Sequence, residues 1–260
     1  MKISLIITTY NWPEALDRVL KSVSQQVYLP HEVIIADDGS GYETRLLIER
    51  WQDKFPVPII HSWQEDDGFR LSESRNLAIS RVSGNYIVMI DGDMVLDKKF
   101  ILSHSQIAEP KFFIQGSRVI VNKDTSQKLL EKKVSLNFFS KGIKNRFNTL
   151  NIPCLRKLFT GSPFSDNGTR GCNMAFWLED IVFINGFNCD FVGWGREDSE
   201  LVTRLHNAGI KRKRLKLGGC AYHLYHYESE RTMLPENDLL LQVAIENKLT
   251  KCTNGLREIS

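Results

Sequence analysis

The chain has 260 residues, 42% of them hydrophobic and 25% charged, with a formal net charge of +3. That length holds one large α/β unit or two small ones, and the composition excludes a disordered or fibrous chain. So small a charge, with no arginine-rich arm and no zinc-finger spacing, gives no ground for nucleic-acid binding, and none is expected.

The first run, ISLIITTY at 3–10, is β-branched and reads as a buried strand; it is too short for a secretory leader and no small-residue cleavage site follows. WPEALDRVLKSVSQQ then shows apolar residues at helical spacing, with Pro13 at the helix entrance. EVIIADDGS is a second buried strand ending in acid and glycine, and YETRLLIERWQDKF resumes the helical period. PVPIIHSWQ is a short strand, SESRNLAISRV a helix whose serines suit an N-cap, and NYIVMI an apolar strand delivering DGDM. Strand and helix alternating in this way predict a mostly parallel sheet flanked by helices, as one compact unit. Three loops, TTYN, DDGS and DGDM, fall at the carboxyl ends of strands, where open α/β sheets bind ligands.

Beyond Phe100 the alternation loosens. SPFSDNGTRGCNMAF reads as a loop feeding a short strand, FVGWGREDSELVTRLHNAG as a glycine-rich turn into a helix, KRKRLK as a strand with a charged side, and CAYHLYHYESER as strand-like. Cys154, Cys172, Cys189, Cys220 and Cys252 form no CxxC pair, which fits thiols in a reducing compartment, and the cytoplasm is expected. No apolar run approaches the ~20 residues needed to cross a bilayer.

Asp91 and Asp93, flanking Gly92, can offer hard oxygens to one divalent cation, magnesium or manganese, with the glycine allowing close approach of a ligand; an ordinary Asp-Gly turn is the alternative. Asp37 and Asp38 can accept hydrogen bonds from a nucleobase or ribose, or can simply form a turn. Arg75 and Asn76, on the helix after GFRLSES, offer a cation and an amide to phosphate oxygens, the alternative being a solvent-facing helix surface. Gly193 and Gly195 permit a sharp turn beside a ligand, Trp194 gives an indole face for a sugar ring, and Glu197 and Asp198 open the following helix. Acids in a first helical turn also serve the helix dipole alone.

In this order and near these spacings, TTYN, ADDGS, SRNLAI and DGDM resemble family 2 glycosyltransferases of the GT-A, Rossmann-like fold, and GWGREDSEL resembles the WGxED motif of galactosyltransferases and chondroitin polymerases. The resemblance covers essentially the whole chain and implies an inverting, metal-dependent hexosyltransferase. Such an enzyme moves Gal, GalNAc, Glc or GlcNAc from a UDP-sugar to a bacterial surface glycan, such as lipopolysaccharide or capsule, or to a lipid-linked acceptor. It implies a nucleotide-sugar half at 1–100 and an acceptor and catalytic half at 101–260. Thr9, Tyr10 and Asp38 would line the uracil and ribose pocket, with Asp37 nearby; Arg75 would approach the diphosphate and Asp91 the ribose or donor sugar. Asp93 would ligate Mn2+ or Mg2+ with one histidine of YHLYHYES, His226 by its match to the pattern or His223 in its place, because strand alternation puts the two on opposite faces. Asp198 would be the base, Glu197 would bind hydroxyls, and Asn173 would lie on the acceptor side. Arg196 stands where the pattern has glycine, either facing solvent or meeting an anionic acceptor.

Lys123, Lys128, Lys132, Lys133, Lys141, Lys144, Arg146, Arg156 and Lys157 crowd one stretch, interleaved with Leu129, Leu130, Phe138, Phe139 and Phe147. Such a stretch is either a solvated face or a peripheral contact with the inner face of the cytoplasmic membrane. Two other readings of the whole chain stand beside the transferase: a nucleotidyltransferase, which lacks a glycine-rich phosphate loop here, and a non-catalytic nucleotide-sugar or glycan-binding module.

Overall fold

The computed structural model describes residues 1–131, 133–159, 163–165, 168–227 and 230–258; Lys132 and the side chain of Lys157, both counted in the basic stretch, lie outside them. Strands β1 (Ile3–Thr9), β2 (Glu32–Asp37), β3 (Ile59–Trp63) and β4 (Tyr86–Asp91) alternate with helices α1 (Pro13–Val23), α2 (Tyr42–Gln52) and α3 (Leu71–Ser80), as the periodicity predicts. There follow β5 (Met94–Leu96), α4 (Phe100–Ile107), β6 (Phe112–Gln115), β7 (Val119–Val121), α5 (Lys123–Leu130) and β8 (Ile143–Lys144). The chain continues through β9 (Asn173–Trp177), α6 (Leu178–Phe183), α7 (Glu197–Asn207), β10 (Lys211–Arg214), β11 (Ala221–His223) and α8 (Leu234–Glu246). Helix α8 escaped the sequence reading because Leu239, Val243 and Ile245 are exposed on it, so no one-sided apolar stripe announces it.

Among the described residues a seven-stranded sheet runs β10-β6-β9-β4-β1-β2-β3. The pairs β1-β2, β1-β4, β2-β3 and β6-β10 are parallel, and β9 is antiparallel to both neighbours. The expected mixed α/β unit with a mostly parallel central sheet is therefore observed, and strands from both sides of residue 100 share it. Strand alternation divides the core: Leu5, Ile7, Ile35, Val88 and Ile90 face Leu16 of α1 and Leu47 of α2, while Ile6, Ile34 and Met89 face Ala78 of α3 and Leu201 of α7. Both faces being covered, β1, β2 and β4 are near-continuous apolar runs rather than alternating ones. A four-stranded sheet, β5-β11-β7-β8, packs beside the carboxyl end of β4; its strands are too short for any period to announce them.

Three predicted ligand-binding residues are instead internal braces. Asp37 is fully buried; one carboxylate oxygen accepts from Ser40 N (2.8 Å) and the other meets His61 Nε2 (2.8 Å), so it shapes the turn rather than the cleft. Asn173 is fully buried, meeting His104 Nε2 through Oδ1 (3.1 Å) and donating to Ser117 O (2.9 Å), which joins α4 to the β6-β7 connection instead of facing an acceptor. Asn76 is fully buried, donates to Phe187 O (2.7 Å) and accepts from Phe187 N (2.8 Å), which consumes the amide foreseen for phosphate. The serines before Arg75 do not cap α3 either, since the helix begins at Leu71 and its N-cap, Arg70, makes no side-chain cap. Asn76→Ala should leave the buried Phe187 N–H unpaired and lower the unfolding free energy by about 1–3 kcal/mol in urea denaturation. An unchanged midpoint with weakened nucleotide binding would return Asn76 to the phosphate role.

Candidate active site

Register places the cleft. Thr9 pairs with Asp37 and Thr8 with Asp91, so the ends of β1, β2 and β4 stand abreast and their loops open on one side. The resulting cleft has a volume of about 1450 Å3 and is lined by Thr9, Tyr10, Asp38, Arg75, Asp91, Asp93, Trp194, Glu197, Asp198, His223 and His226. All the predicted site residues except the three braces are thus brought together from six segments of the chain.

Asp38, at the end of β2, is 4% exposed and accepts hydrogen bonds from Gln64 Nε2 (2.6 Å) and Arg70 N (3.0 Å). Burial nonetheless pushes its carboxyl up to about 6. Tyr10 is half exposed at the rim and donates to Asp66 Oδ2 (3.0 Å). Arg75 is buried, not solvent-facing: its guanidinium lies 3.2 Å from Glu197 Oε1 and 3.5 Å from Asp91 Oδ1, with the Phe187 ring 5.0 Å away. One cation thereby joins the acid of β4 to the acid that opens α7. A Cβ at Gly171 would come within 2.8 Å of Arg75 Nη2, so a larger residue there would disturb this arginine.

Asp91 Oδ1 also accepts from Thr8 Oγ1 (3.2 Å). A Cβ on Gly92 would lie 2.3 Å from Thr8 O; the glycine is required by strand packing rather than by a ligand's approach. Asp93 is 7% exposed, and its Oδ1 is buried without a hydrogen-bond partner. Its Oδ2 lies 3.3 Å from His223 Nε2 and 3.3 Å from His226 Nε2. The expected division of the histidines onto opposite faces fails because β11 ends at His223, and the chain turns before His226. That turn is held by Leu224 N donating to Asp93 O (3.0 Å) and Tyr225 N donating to Ser126 Oγ (2.7 Å) of α5.

Burial, together with the Asp91 charge, pushes the Asp93 carboxyl up to about 8, and burial, with the nearby Arg118 charge, pulls His223 down to about 3. His223 is therefore a neutral imidazole at physiological pH, with a lone pair to give. His226 Nδ1 lies 2.6 Å from Tyr227 O, which sets its donor hydrogen there and leaves Nε2 as the free lone pair. A carboxyl group and two imidazoles whose ligand atoms lie within 4.8 Å of one another, one oxygen already desolvated and unpaired, fit a divalent cation.

On the facing wall, Arg196 has φ 75°, and the helix starts at Glu197. Glu197 is pinned by Arg75, and its carboxyl is raised by burial and by the neighbouring Asp198. Asp198 accepts from Gly171 N (2.8 Å) through Oδ2 and from Ser199 Oγ (3.2 Å) through Oδ1. Arg196 pairs with Asp238 of α8 (2.5 Å), and buried Asn237 donates to Val192 O (3.1 Å) and Gly195 O (3.0 Å). Helix α8 thus clamps the glycine loop that presents Trp194, a role with no motif to betray it. Arg118 and Arg170 also line the cleft and were missed, since single arginines in loops carry no spacing signal.

Residues 4–165 match the family model described as Glycosyl transferase family 2, and residues 159–227 match that described as the N-terminal domain of galactosyltransferase. A hyaluronan synthase of Pasteurella multocida is 28% identical over 247 residues, covering 85% of this chain and 24% of the relative. The chain spans between about a quarter and a half of the length of the first curated relatives it matches. S. aureus TarS in complex with UDP-GlcNAc aligns at a TM-score of 0.63 and 14% identity, covering 100% of this chain and 69% of that one. The mannosyltransferase PcManGT from Pyrobaculum calidifontis, in complex with GDP-Man and Mn2+, aligns at 0.57 and 16%, covering 95% and 72%. At these identities the structural likeness is one of fold. Since the first family model matches more than half of the 260 residues, as the ordered motifs led one to expect, the chain belongs to glycosyl transferase family 2.

Proposed function

We propose that the protein is an inverting, metal-dependent hexosyltransferase that uses a UDP-sugar (UDP-Gal, UDP-GalNAc, UDP-Glc or UDP-GlcNAc) and a hydroxyl of a bacterial surface glycan or lipid-linked saccharide. The observation that carries this reading is the Asp93, His223 and His226 cluster standing in the same cleft as Asp38, Arg75 and Asp198. The UDP-GlcNAc held by TarS and the GDP-Man and Mn2+ held by PcManGT support a nucleotide-sugar and a cation in a cleft of this fold. The free cysteines among the described residues support a reducing, cytoplasmic setting.

In this reading Thr9, Tyr10 and Asp38 receive the uracil and ribose, Arg75 meets the diphosphate, and Asp91 orients the ribose or donor sugar. Asp93, His223 and His226 hold the cation, and two nitrogen donors beside one carboxylate favour manganese over magnesium. When bound, that ion neutralises charge on the departing diphosphate. Trp194 offers a platform for the sugar ring beside the WGxED acids. Asp198, fixed by the Gly171 N–H, takes the acceptor hydroxyl's proton as that oxygen attacks C1 from the face opposite the nucleotide, and the C1–O bond breaks with its electron pair leaving on UDP. Glu197, neutralised in place by Arg75, binds donor or acceptor hydroxyls.

The reading is tested by UDP release from a panel of UDP-sugars with manganese, magnesium or EDTA. Metal-dependent hydrolysis of one donor supports it, whereas no turnover and no UDP binding under any metal moves a non-catalytic module to the front. Asp198→Asn should cut turnover by roughly 10²–10⁴-fold while UDP affinity, by calorimetry, changes little, because a base acts in the transition state. His223→Ala and His226→Ala should each weaken Mn2+ binding by at least ~10-fold in electron paramagnetic resonance titrations; loss with only one of them means a single histidine ligand. Protonation turns one of the two acceptor oxygens of Asp38 into a donor and removes its charge, so UDP affinity should fall as pH drops through about 6, and Asp38→Asn should flatten that profile. The sign for folding is opposite: a raised carboxyl contributes stability below its unfolded value that is lost as pH rises through about 6.

A further inference from the structure

The proposed chemistry leaves unexplained the surface between α5 and β9. Phe139 is 84% exposed and Phe147 71% exposed, and both stack edge-on against Phe138, at ring separations of 5.3 Å and 5.6 Å. Arg146 lies over the Phe138 ring (5.8 Å) and donates to Phe138 O (3.3 Å). The loop beneath is anchored rather than loose. Val134 and Leu136 pack on the core, Tyr222 Oη donates to Leu136 O (2.9 Å), and a turn from Asn137 to Ser140 closes on its own side chains. Aromatic rings held outward by a fixed loop are a surface built for contact, since water alone gives no reason to expose them.

The charge around the rings selects the partner. Between Thr125 and Phe159 the sequence has eight lysines and arginines against one acid, Glu131. That acid is already paired with Lys133 (2.6 Å), and Lys141, Lys144 and Arg146 are exposed beside the phenylalanines. We infer that this loop is a docking surface for an anionic lipid bilayer, the phenylalanines entering the acyl boundary and the cations meeting lipid phosphates. A second copy of the chain fits poorly, because an isologous contact would set the same cations against each other.

Gly142, Ile143 and Lys144 also line the cleft, so docking would bring one rim of the cleft to the bilayer. If the transferase reading holds, a lipid-carried acceptor would then reach Asp198 without leaving the membrane surface. The docking itself does not rest on that reading.

The test is flotation of the full chain with vesicles of phosphatidylglycerol and phosphatidylcholine, against phosphatidylcholine alone. Binding to the anionic vesicles only, weakened by salt, is expected. Phe139→Ser with Phe147→Ser, and separately Lys141→Glu with Arg146→Glu, should each lower the partition coefficient by at least ~10-fold, with the thermal midpoint and vesicle-free UDP release unchanged. Three results would each overturn the inference: no flotation, flotation that survives the phenylalanine substitutions, or a dimer in sedimentation velocity that those substitutions dissolve. A failed transferase reading would show separately, as absent UDP release with flotation intact.

Discussion

A carboxylate buried with one oxygen unpaired is costly unless something neutralises it, and Asp93 is such a group. The surroundings are arranged to keep it there. The turn between β4 and β5 is tight because Gly92 lies against the Thr8 carbonyl. The register of β11 on β5 then sets His223 opposite Met94, one residue beyond Asp93. Short as it is, the four-stranded sheet delivers imidazoles from far along the chain to the end of β4.

The remaining acids are kept apart in function by what each one touches. Asp91 and Glu197 share the buried Arg75, so two carboxylates on opposite walls are held by one cation instead of repelling across the cleft. Asp198, the next residue, is tied only to a backbone N–H and a hydroxyl, and no cation neutralises it within ion-pair distance among the described residues. Two adjacent acids at one helix start thereby become chemically different groups.

The second half of the chain supplies both the clamp and the rim. Helix α8 fixes the glycine loop through Asn237 and Asp238, so Trp194 and the two acids are presented by a braced turn. On the other side the loop before β8 joins the cleft to the exposed phenylalanines. Among the described residues no helix is long and apolar enough to cross a membrane.

Much of this architecture was legible because its signals are local. Apolar runs covered on both faces marked β1, β2 and β4, helical spacing marked α1 and α2, and the strand-end acids Asp38, Asp91 and Asp93 fell where a parallel sheet opens. Local signals also misled, since Asp37, Asn76 and Asn173 carry the same chemistry as ligands while a neighbouring backbone group or His104 uses it up. The turn after His223 is a further case: a period of two holds only while the strand lasts, and the pairing of β11 with β5 and β7 decides where it stops. The alternating sheet and the stock of carboxylates and imidazoles follow from the order of residues. Tertiary structure alone decided which of them face the cleft, because burial and hydrogen-bond partners are set by residues distant in the chain.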